Sequence, residues 1–186
     1  AEHVTRSFVK DGDETLVLLG GLPNELGASY FLQTRHGLKE GKVPSVDLAG
    51  EKALQDFLVA QIETGRVAAA HDVSEGGLLV TIAEMFFEDV SLGVAVDIDS
   101  LGDSGRLDTL LFGESQGRVV VAVKPDAAES FMESAREVSL PVQILGAANR
   151  DGRFKLSVAG DDVLEASTLS LLQVWEDAIP EIMNPS

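Results

Sequence analysis

Cysteine is absent from the 186 residues of this chain. Disulfide bonds and thiolate metal sites are therefore excluded, and no cysteine nucleophile can act here. Histidine is scarce as well, and the wide spacing of His3, His36 and His71 does not indicate a zinc site. Because nothing in the sequence calls for an oxidising compartment, we expect a cytoplasmic location.

Basic residues are few. The chain has 14 Lys and Arg against 31 Asp and Glu, which gives a formal net charge of −17 at pH 7. Such a surface repels nucleic acids and anionic membranes, so we expect neither as a partner. A phosphorylated small molecule could bind only through a local cradle of N–H groups or through a metal ion.

Long apolar runs are also missing. No apolar segment approaches the roughly 18–20 residues that span a bilayer. Residues 1–5 show neither the basic nor the apolar region of a signal peptide. The composition, 45% hydrophobic and 24% charged, is typical of a globular protein. We expect one domain over residues 1–186, with residues 1–14 as a connecting arm.

The rest of the chain alternates between strand and helix patterns. Buried apolar runs closed by turn residues predict strands at 15–19, 67–70, 92–98, 119–123, 143–145 and 154–158. Apolar residues at helical spacing predict helices at 28–35, 47–63, 77–88 and 106–112, another after Asp126, and helical segments from 161 through 175.

Three local signals refine this pattern. Asp126 and Glu129 are spaced as a capping box, and Asp151-Gly152 is typical of a hairpin turn between the last two predicted strands. Trp175 is expected to be a packing anchor. Helices and strands in this mixture predict an α+β domain with a layered, mixed sheet.

The segment His71-Asp72-Val73-Ser74-Glu75-Gly76-Gly77-Leu78 lies between a predicted strand and a predicted helix. Asp72 offers a carboxylate to a hard cation such as Mg²⁺, and Gly76 and Gly77 would let backbone N–H groups approach an anion at a helix N-terminus. The alternative is structural: Asp72 or Ser74 caps the helix, and the glycines only make the turn.

A second polar segment, Leu111-Phe112-Gly113-Glu114-Ser115-Gln116-Gly117-Arg118, precedes the predicted strand at 119–123. Glu114, Ser115 and Gln116 combine acceptors and donors that suit the hydroxyl groups of a sugar. Arg118 would be free to pair with a phosphate or an acidic neighbour. The alternative is a solvated loop with Arg118 in a surface ion pair.

A third segment, Glu25-Leu26-Gly27-Ala28-Ser29, opens a predicted helix. Its small residues could take part in anion binding, or they could simply cap the helix.

Taken in order, these three segments resemble the second C-terminal-type domain of phosphoribosylformylglycinamidine synthase. That family belongs to the superfamily of aminoimidazole ribonucleotide synthase, selenophosphate synthetase and a hydrogenase maturation factor. The strings at 71–78 and 111–118 carry the resemblance, which covers essentially the whole chain. It implies an α+β domain like the C-terminal domain of aminoimidazole ribonucleotide synthase.

The resemblance also implies an activity. Such ligases use ATP and Mg²⁺ to activate the carboxamide oxygen of formylglycinamide ribonucleotide, and ammonia then displaces phosphate to give the amidine of purine biosynthesis. The implied partners are an amino-terminal ATP-binding half, a glutaminase subunit that supplies the ammonia, a small bridging subunit and the phosphoribosyl substrate. A glutaminase needs a cysteine, so that activity lies outside this chain, and we expect the chain alone to be inactive.

Carried over by residue, Asp72 matches a metal ligand, and Glu114, Ser115 and Gln116 match a substrate-contacting triplet. Gly76 and Gly77 fall in the nucleotide-binding turn, and no residue is assigned a catalytic role. In the family the working site draws this triplet mainly from a first copy, whereas the spelling at 71–78 marks the second. Two alternatives therefore stay open: a structural half that holds an auxiliary nucleotide or none, and a related enzyme such as a selenophosphate synthetase.

Overall fold

A seven-stranded mixed sheet organises the computed structural model, which describes residues 5–23, 25–98, 106–158 and 160–183. The strands are β1 (Thr15–Leu19), β2 (Val67–Asp72), β3 (Gly93–Asp97), β4 (Val119–Val123), β5 (Val142–Asn149), β6 (Arg153–Val158) and β7 (Asp161–Ser167). Their order across the sheet is β2-β4-β1-β5-β3-β6-β7. Neighbouring strands are antiparallel except β3 and β6, which are parallel.

Helices cover both faces of this sheet. They are α1 (Tyr30–His36), α2 (Leu48–Glu63), α3 (Gly77–Glu84), α4 (Leu107–Phe112), α5 (Ala128–Glu137) and α6 (Thr168–Met183). No helix in the described part of the chain combines the length and the apolar character needed to cross a membrane.

Alternation along the central strands divides the core into two clusters, because successive side chains point to opposite faces. On one face Leu16 and Leu18 of β1 pack with residues of α3 and α4, such as Leu78 and Leu110. On the other face Val17 and Leu19 pack with residues of α2 and α5, including Phe57 and Phe131, whose rings meet edge to face at 5.4 Å. The predicted α+β class with a layered mixed sheet is confirmed.

The segment before β1 is fixed to this core. The backbone carbonyl of Arg6 accepts a hydrogen bond from Ala70 in β2, and the N–H of Val9 donates to Met85. Val9 and Glu14 are both buried. Both Glu14 carboxylate oxygens accept from four consecutive backbone N–H groups, those of residues 10–13, at 2.7–3.3 Å.

The segment 161–167 is a strand, so the prediction of a helix there was wrong. β7 is the last strand of the sheet and pairs with β6 through Leu156 and Leu164. Helix α6 begins only at Thr168, whose hydroxyl donates to the carbonyl of Leu92. Tertiary pairing has overridden a local sequence rich in acidic residues.

The predicted hairpin at Asp151-Gly152 was also wrong. A tight turn does form, with Gly152 at φ 65° and the Asp151 carboxylate accepting from the N–H of Arg153. However, β3 lies between the two strands that this turn joins. A turn signal reports the local reversal of the chain, whereas β3, which comes from earlier in the sequence, decides the pairing.

Two smaller expectations also fail. Asp126 lies in a 3-10 turn, Pro125–Ala127, and no described side chain caps α5, so the capping box does not form. Trp175 is 57% exposed and contacts Phe87 with a centroid distance of 5.9 Å. It is therefore a surface residue of α6 and not a core anchor.

Candidate functional site

Asp72 ends β2, opposite Val119 at the start of β4. Its side chain is 75% exposed, and its carboxylate lies 3.7 Å from Nδ1 of His71. Among the described residues no group of three or more His, Asp or Glu is arranged to hold a metal ion. A hard cation such as Mg²⁺ needs several oxygen ligands, and Asp72 supplies only one carboxylate.

Gly76 and Gly77 form the turn into α3, with φ values of 82° and 75°. The Gly76 N–H donates to Oε1 of Glu114 at 2.9 Å, and the Gly77 N–H donates to the carbonyl of Ser74 at 3.0 Å. Neither Asp72 nor Ser74 caps the helix through its side chain, so the predicted cap was wrong, whereas the glycines do make the turn. The N–H groups predicted to face an anion already have acceptors within the chain.

Close packing against α4 explains why residue 77 is a glycine. A Cβ there would lie 2.7 Å from backbone atoms of Phe112, closer than van der Waals contact allows. The start of α3 therefore touches the end of α4 through bare backbone. Gly76 differs, because a Cβ there would meet only the side chain of Val80.

Glu114 joins two helix starts. Its Oε1 accepts from the N–H of Gly76 and also from the N–H of Tyr30 at the beginning of α1, at 2.9 Å each. A carboxylate at a helix N-terminus is favoured by the helix dipole and satisfies donors that have no partner within the helix. Glu114 therefore performs within the chain the task predicted for a bound anion.

Arg118 is not free, contrary to expectation. Its side chain is buried, with Nε donating to the carbonyl of Ser115 at 3.1 Å and Nη2 to the carbonyl of Gly113 at 2.5 Å. Burial lowers the pKa of Arg118 to about 10, so the guanidinium is still charged at neutral pH. The loop 113–117 thus folds around a buried cation that holds its carbonyl groups.

The third predicted segment forms a helix cap. The hydroxyl of Ser29 accepts from the N–H of Leu32 at 3.4 Å and donates to the carbonyl of Leu26 at 2.7 Å. The hydrogen bond from Leu32 confirms the capping alternative, and Ser29 is buried. In the same turn Ala28 takes a left-handed conformation, with φ 60°.

Ser115 and Gln116 line a polar cavity of about 320 Å³ between the end of β1, the start of α2 and the loop 113–117. Neither Asp72 nor Glu114 lines this cavity, so the structure separates the predicted metal ligand from two of the three predicted substrate contacts. Three acidic residues also line it: Glu25, Asp47 and Glu51.

Two of these carboxylates have an unsatisfied oxygen. The Oε2 atoms of Glu25 and Glu51 are buried and have no hydrogen-bond partner among the described residues. Asp47, in contrast, caps α2 by accepting from Ala49 and Gly50. Because three acidic residues line it, this cavity favours a group that donates hydrogen bonds, such as a hydroxyl or an ammonium. It opposes a phosphate.

Sequence reasoning missed Glu51 because the periodicity of α2 marks only its buried apolar face, and Glu51 lies on its polar side. Its position in the first turn of α2 was visible, since acidic residues favour helix starts. The approach of Glu51 to the loop 113–117 could not be predicted, because it joins segments more than sixty residues apart in the sequence.

Comparisons with known proteins agree on one family. A model described as AIR synthase related protein, C-terminal domain, matches residues 10–159. Phosphoribosylformylglycinamidine synthase subunit PurL of Symbiobacterium thermophilum is 36% identical over 196 residues, covering 98% of this chain and 25% of the relative. The chain therefore spans about a quarter of the length of the curated relatives it matches.

Solved structures share the fold. T. maritima PurL complexed with FGAR superposes with a TM-score of 0.78 at 24% identity and covers 92% of this chain and 29% of that one. T. maritima PurL complexed with ATP gives a TM-score of 0.74 at 24% identity, with 92% and 27% covered.

Proposed function

We propose that this chain, which belongs to the family of C-terminal domains of AIR synthase related proteins, is a domain of a phosphoribosylformylglycinamidine synthase. In that role it would complete the ligase that joins formylglycinamide ribonucleotide and glutamine-derived ammonia at the expense of ATP. The observation that carries this proposal is the 36% identity to a PurL subunit over 98% of the chain.

Within that enzyme we assign the polar cavity, and not the Asp72 loop, to substrate contact. Ser115 and Gln116 would donate to and accept from the hydroxyl groups of the phosphoribosyl substrate, and the acidic residues that line the cavity, Glu25, Asp47 and Glu51, would favour these donors. The acidic lining argues that the phosphate group of the substrate lies outside this cavity.

The described residues do not by themselves fit Mg²⁺ or a nucleotide. Asp72 is a single exposed carboxylate, and the N–H groups of Gly76 and Gly77 already have acceptors. Binding of a nucleotide phosphate at this turn would have to displace Glu114. Asp72 as metal ligand and Gly76, Gly77 and Glu114 as nucleotide or substrate contacts stay predictions that need the ATP-binding half of the synthase.

This mismatch favours a second candidate function. In it the chain is the structural half of a pseudo-dimer, and Glu114 occupies the place of the ligand in the domain's own turn. The partners in either case would be an amino-terminal ATP-binding half, a glutaminase subunit and a small bridging subunit in the cytoplasm. That the relative is itself called a subunit agrees with an assembly of several chains.

Kinetics of the full-length synthase separate the two candidates. If the cavity contacts substrate, Ser115→Ala and Gln116→Ala should raise the KM for formylglycinamide ribonucleotide about tenfold, since each leaves a polar substrate group unpaired. Gln173→Ala, on the exposed side of α6, is the matched control. Unchanged KM in both cavity variants would contradict substrate contact and leave the structural candidate standing.

The chain alone offers a second measurement. With one exposed carboxylate and an internally satisfied turn, the 186-residue chain should fold but not hydrolyse ATP in the presence of Mg²⁺. Steady release of phosphate above background from a pure sample would contradict the proposal that an ATP-binding half is required.

A further inference from the structure

A second cavity, of about 430 Å³, lies between α3 and α6 and shares no lining residue with the first. The rings of Phe87 and Trp175 form one wall, tilted by 53° to each other. Its rim carries the carboxylates of Glu84, Glu88 and Glu176. The site therefore combines exposed aromatic faces with three acidic groups.

The negative charge of this cavity is poorly compensated. Nδ1 of His71 lies 2.9 Å from the backbone carbonyl of Asp72 and so donates to it, which leaves Nε2 at 3.5 Å from Glu84. The side chains of Glu88 and Glu176 make no hydrogen bond or ion pair with a described residue. Within the described ranges no Lys or Arg lines the cavity.

We propose that this cavity is the docking site for an arginine side chain of a partner polypeptide. A guanidinium stacks on an indole face and pairs with carboxylates in a planar fork, which matches Trp175 and the two unpaired glutamates. The charge of the partner segment would complement the net charge of −17. The inference does not depend on the proposed function.

A polypeptide is a better occupant than free arginine because the apolar surface continues along α6. Ile179 and Met183 lie one and two turns beyond Trp175 and are 68% and 74% exposed. Residues that flank the arginine could cover this surface, whereas a free amino acid could not. Exposed apolar stripes of this kind are typical of interaction sites.

Trp175 is the only tryptophan in the chain, so its fluorescence reports on this cavity alone. The test is a titration with a short amidated arginine peptide with apolar flanking residues, compared with the same peptide carrying citrulline, which keeps the shape but loses the charge. We expect the arginine peptide to shift the emission saturably at millimolar concentration or below, more weakly in high salt, and the citrulline peptide to leave it unchanged.

Charge-matched variants locate the site. Glu88→Gln with Glu176→Gln should weaken the arginine peptide about fivefold or more, because both unpaired carboxylates are lost. Glu129→Gln with Glu133→Gln removes the same charge from the exposed side of α5, in the other helical layer, and should leave affinity unchanged. Urea unfolding of both double variants checks that they fold alike.

Four results would overturn the proposal. Equal binding of the arginine and citrulline peptides would exclude recognition of the guanidinium, and so would the absence of any emission change up to millimolar peptide. Equal loss of affinity in the two double variants would show that only the overall charge matters. If arginine amide alone bound as tightly as the peptide, the occupant would be a free cation and not a partner segment.

Discussion

Two polar loops flank the junction of β2 and β4, residues 72–77 before α3 and residues 113–118 before β4. Both were predicted from the sequence to contact a ligand, and each contains an acidic candidate residue, Asp72 or Glu114. In the first loop the side chain of Asp72 is exposed and its only ion-pair partner among the described residues is His71. In the second loop Glu114 accepts hydrogen bonds from two helix starts, and Arg118 is buried. One carboxylate of a predicted ligand site, Glu114, is therefore used in hydrogen bonds within the fold, whereas the other, Asp72, is left exposed.

The largest loss of stability is expected from a substitution at the contact between the start of α3 and the end of α4. Gly77→Ala should lower the free energy of unfolding by about 3–4 kcal/mol, because it combines a left-handed backbone with a clash against Phe112. Urea denaturation measures the effect. Gly76→Ala is the comparison variant: it shares the positive φ, but its nearest contacts are side-chain atoms of Val80 and not backbone, so it should cost less, and equal losses would refute the special role of the backbone clash.

Glu14 provides an internal standard for a carboxylate held by backbone N–H groups. Burial raises the pKa of Glu14, but the hydrogen bonds from the backbone, led by that of Asp11, outweigh it and lower the pKa below its ordinary value. Glu14→Ala should cost about 2–3 kcal/mol at pH 7, since charge-assisted hydrogen bonds are lost.

The pH dependence of Glu14 follows from the direction of this shift. A group whose pKa is lower in the folded chain stabilises it above the unfolded pKa, about 4.3, and stops doing so as pH falls through the folded value. The difference in unfolding free energy between the parent chain and Glu14→Gln should therefore shrink below about pH 4. A constant difference down to pH 2 would contradict this account.

Glu114 should show a smaller effect than Glu14, because it accepts from two N–H groups instead of four and is only half-buried. Glu114→Ala is expected to cost about 1–2 kcal/mol and to increase hydrogen exchange at the Gly76 and Tyr30 amides. Glu133→Ala, on the exposed face of α5, controls for loss of charge. If the two amides keep their protection in Glu114→Ala, the two helix starts are held by something else.

Asp72 should show the smallest effect. Because it is exposed and does not cap α3, both Asp72→Asn and Asp72→Ala should change the stability of the chain by less than about 0.5 kcal/mol. A loss of about 1 kcal/mol in Asp72→Ala alone, seen in urea denaturation, would restore the capping interpretation.

Elements with a strong local signature were predictable from sequence. Val119–Val123 is buried throughout and was recognised as a core strand, and the stripe Phe131, Met132 and Ala135 of α5 does face the core. β7 was not predictable, because Asp161, Asp162 and Glu165 have low strand propensity and become a strand only by pairing with β6.

The candidate site divides in the same way. Ser115 and Gln116 could be named as candidates because a run of polar residues before a core strand is visible locally, and both line the cavity. The burial of Arg118 and the approach of Glu51 were not visible, because they depend on how separate segments pack. The sequence pattern identifies polar residues that could contact a ligand. Packing decides whether their polar atoms already have hydrogen-bond partners within the chain.

The acidic character of β7 has a consequence for how two copies of the chain meet. As the last strand, it offers backbone groups on its outer side to which another strand could add. The negative charges of Asp161 and Asp162 on both copies would repel each other and disfavour pairing of two such edges. Asp161→Asn with Asp162→Asn removes that repulsion, so the outer side of β7 is where self-association of this variant should begin, visible as a rise in light scattering.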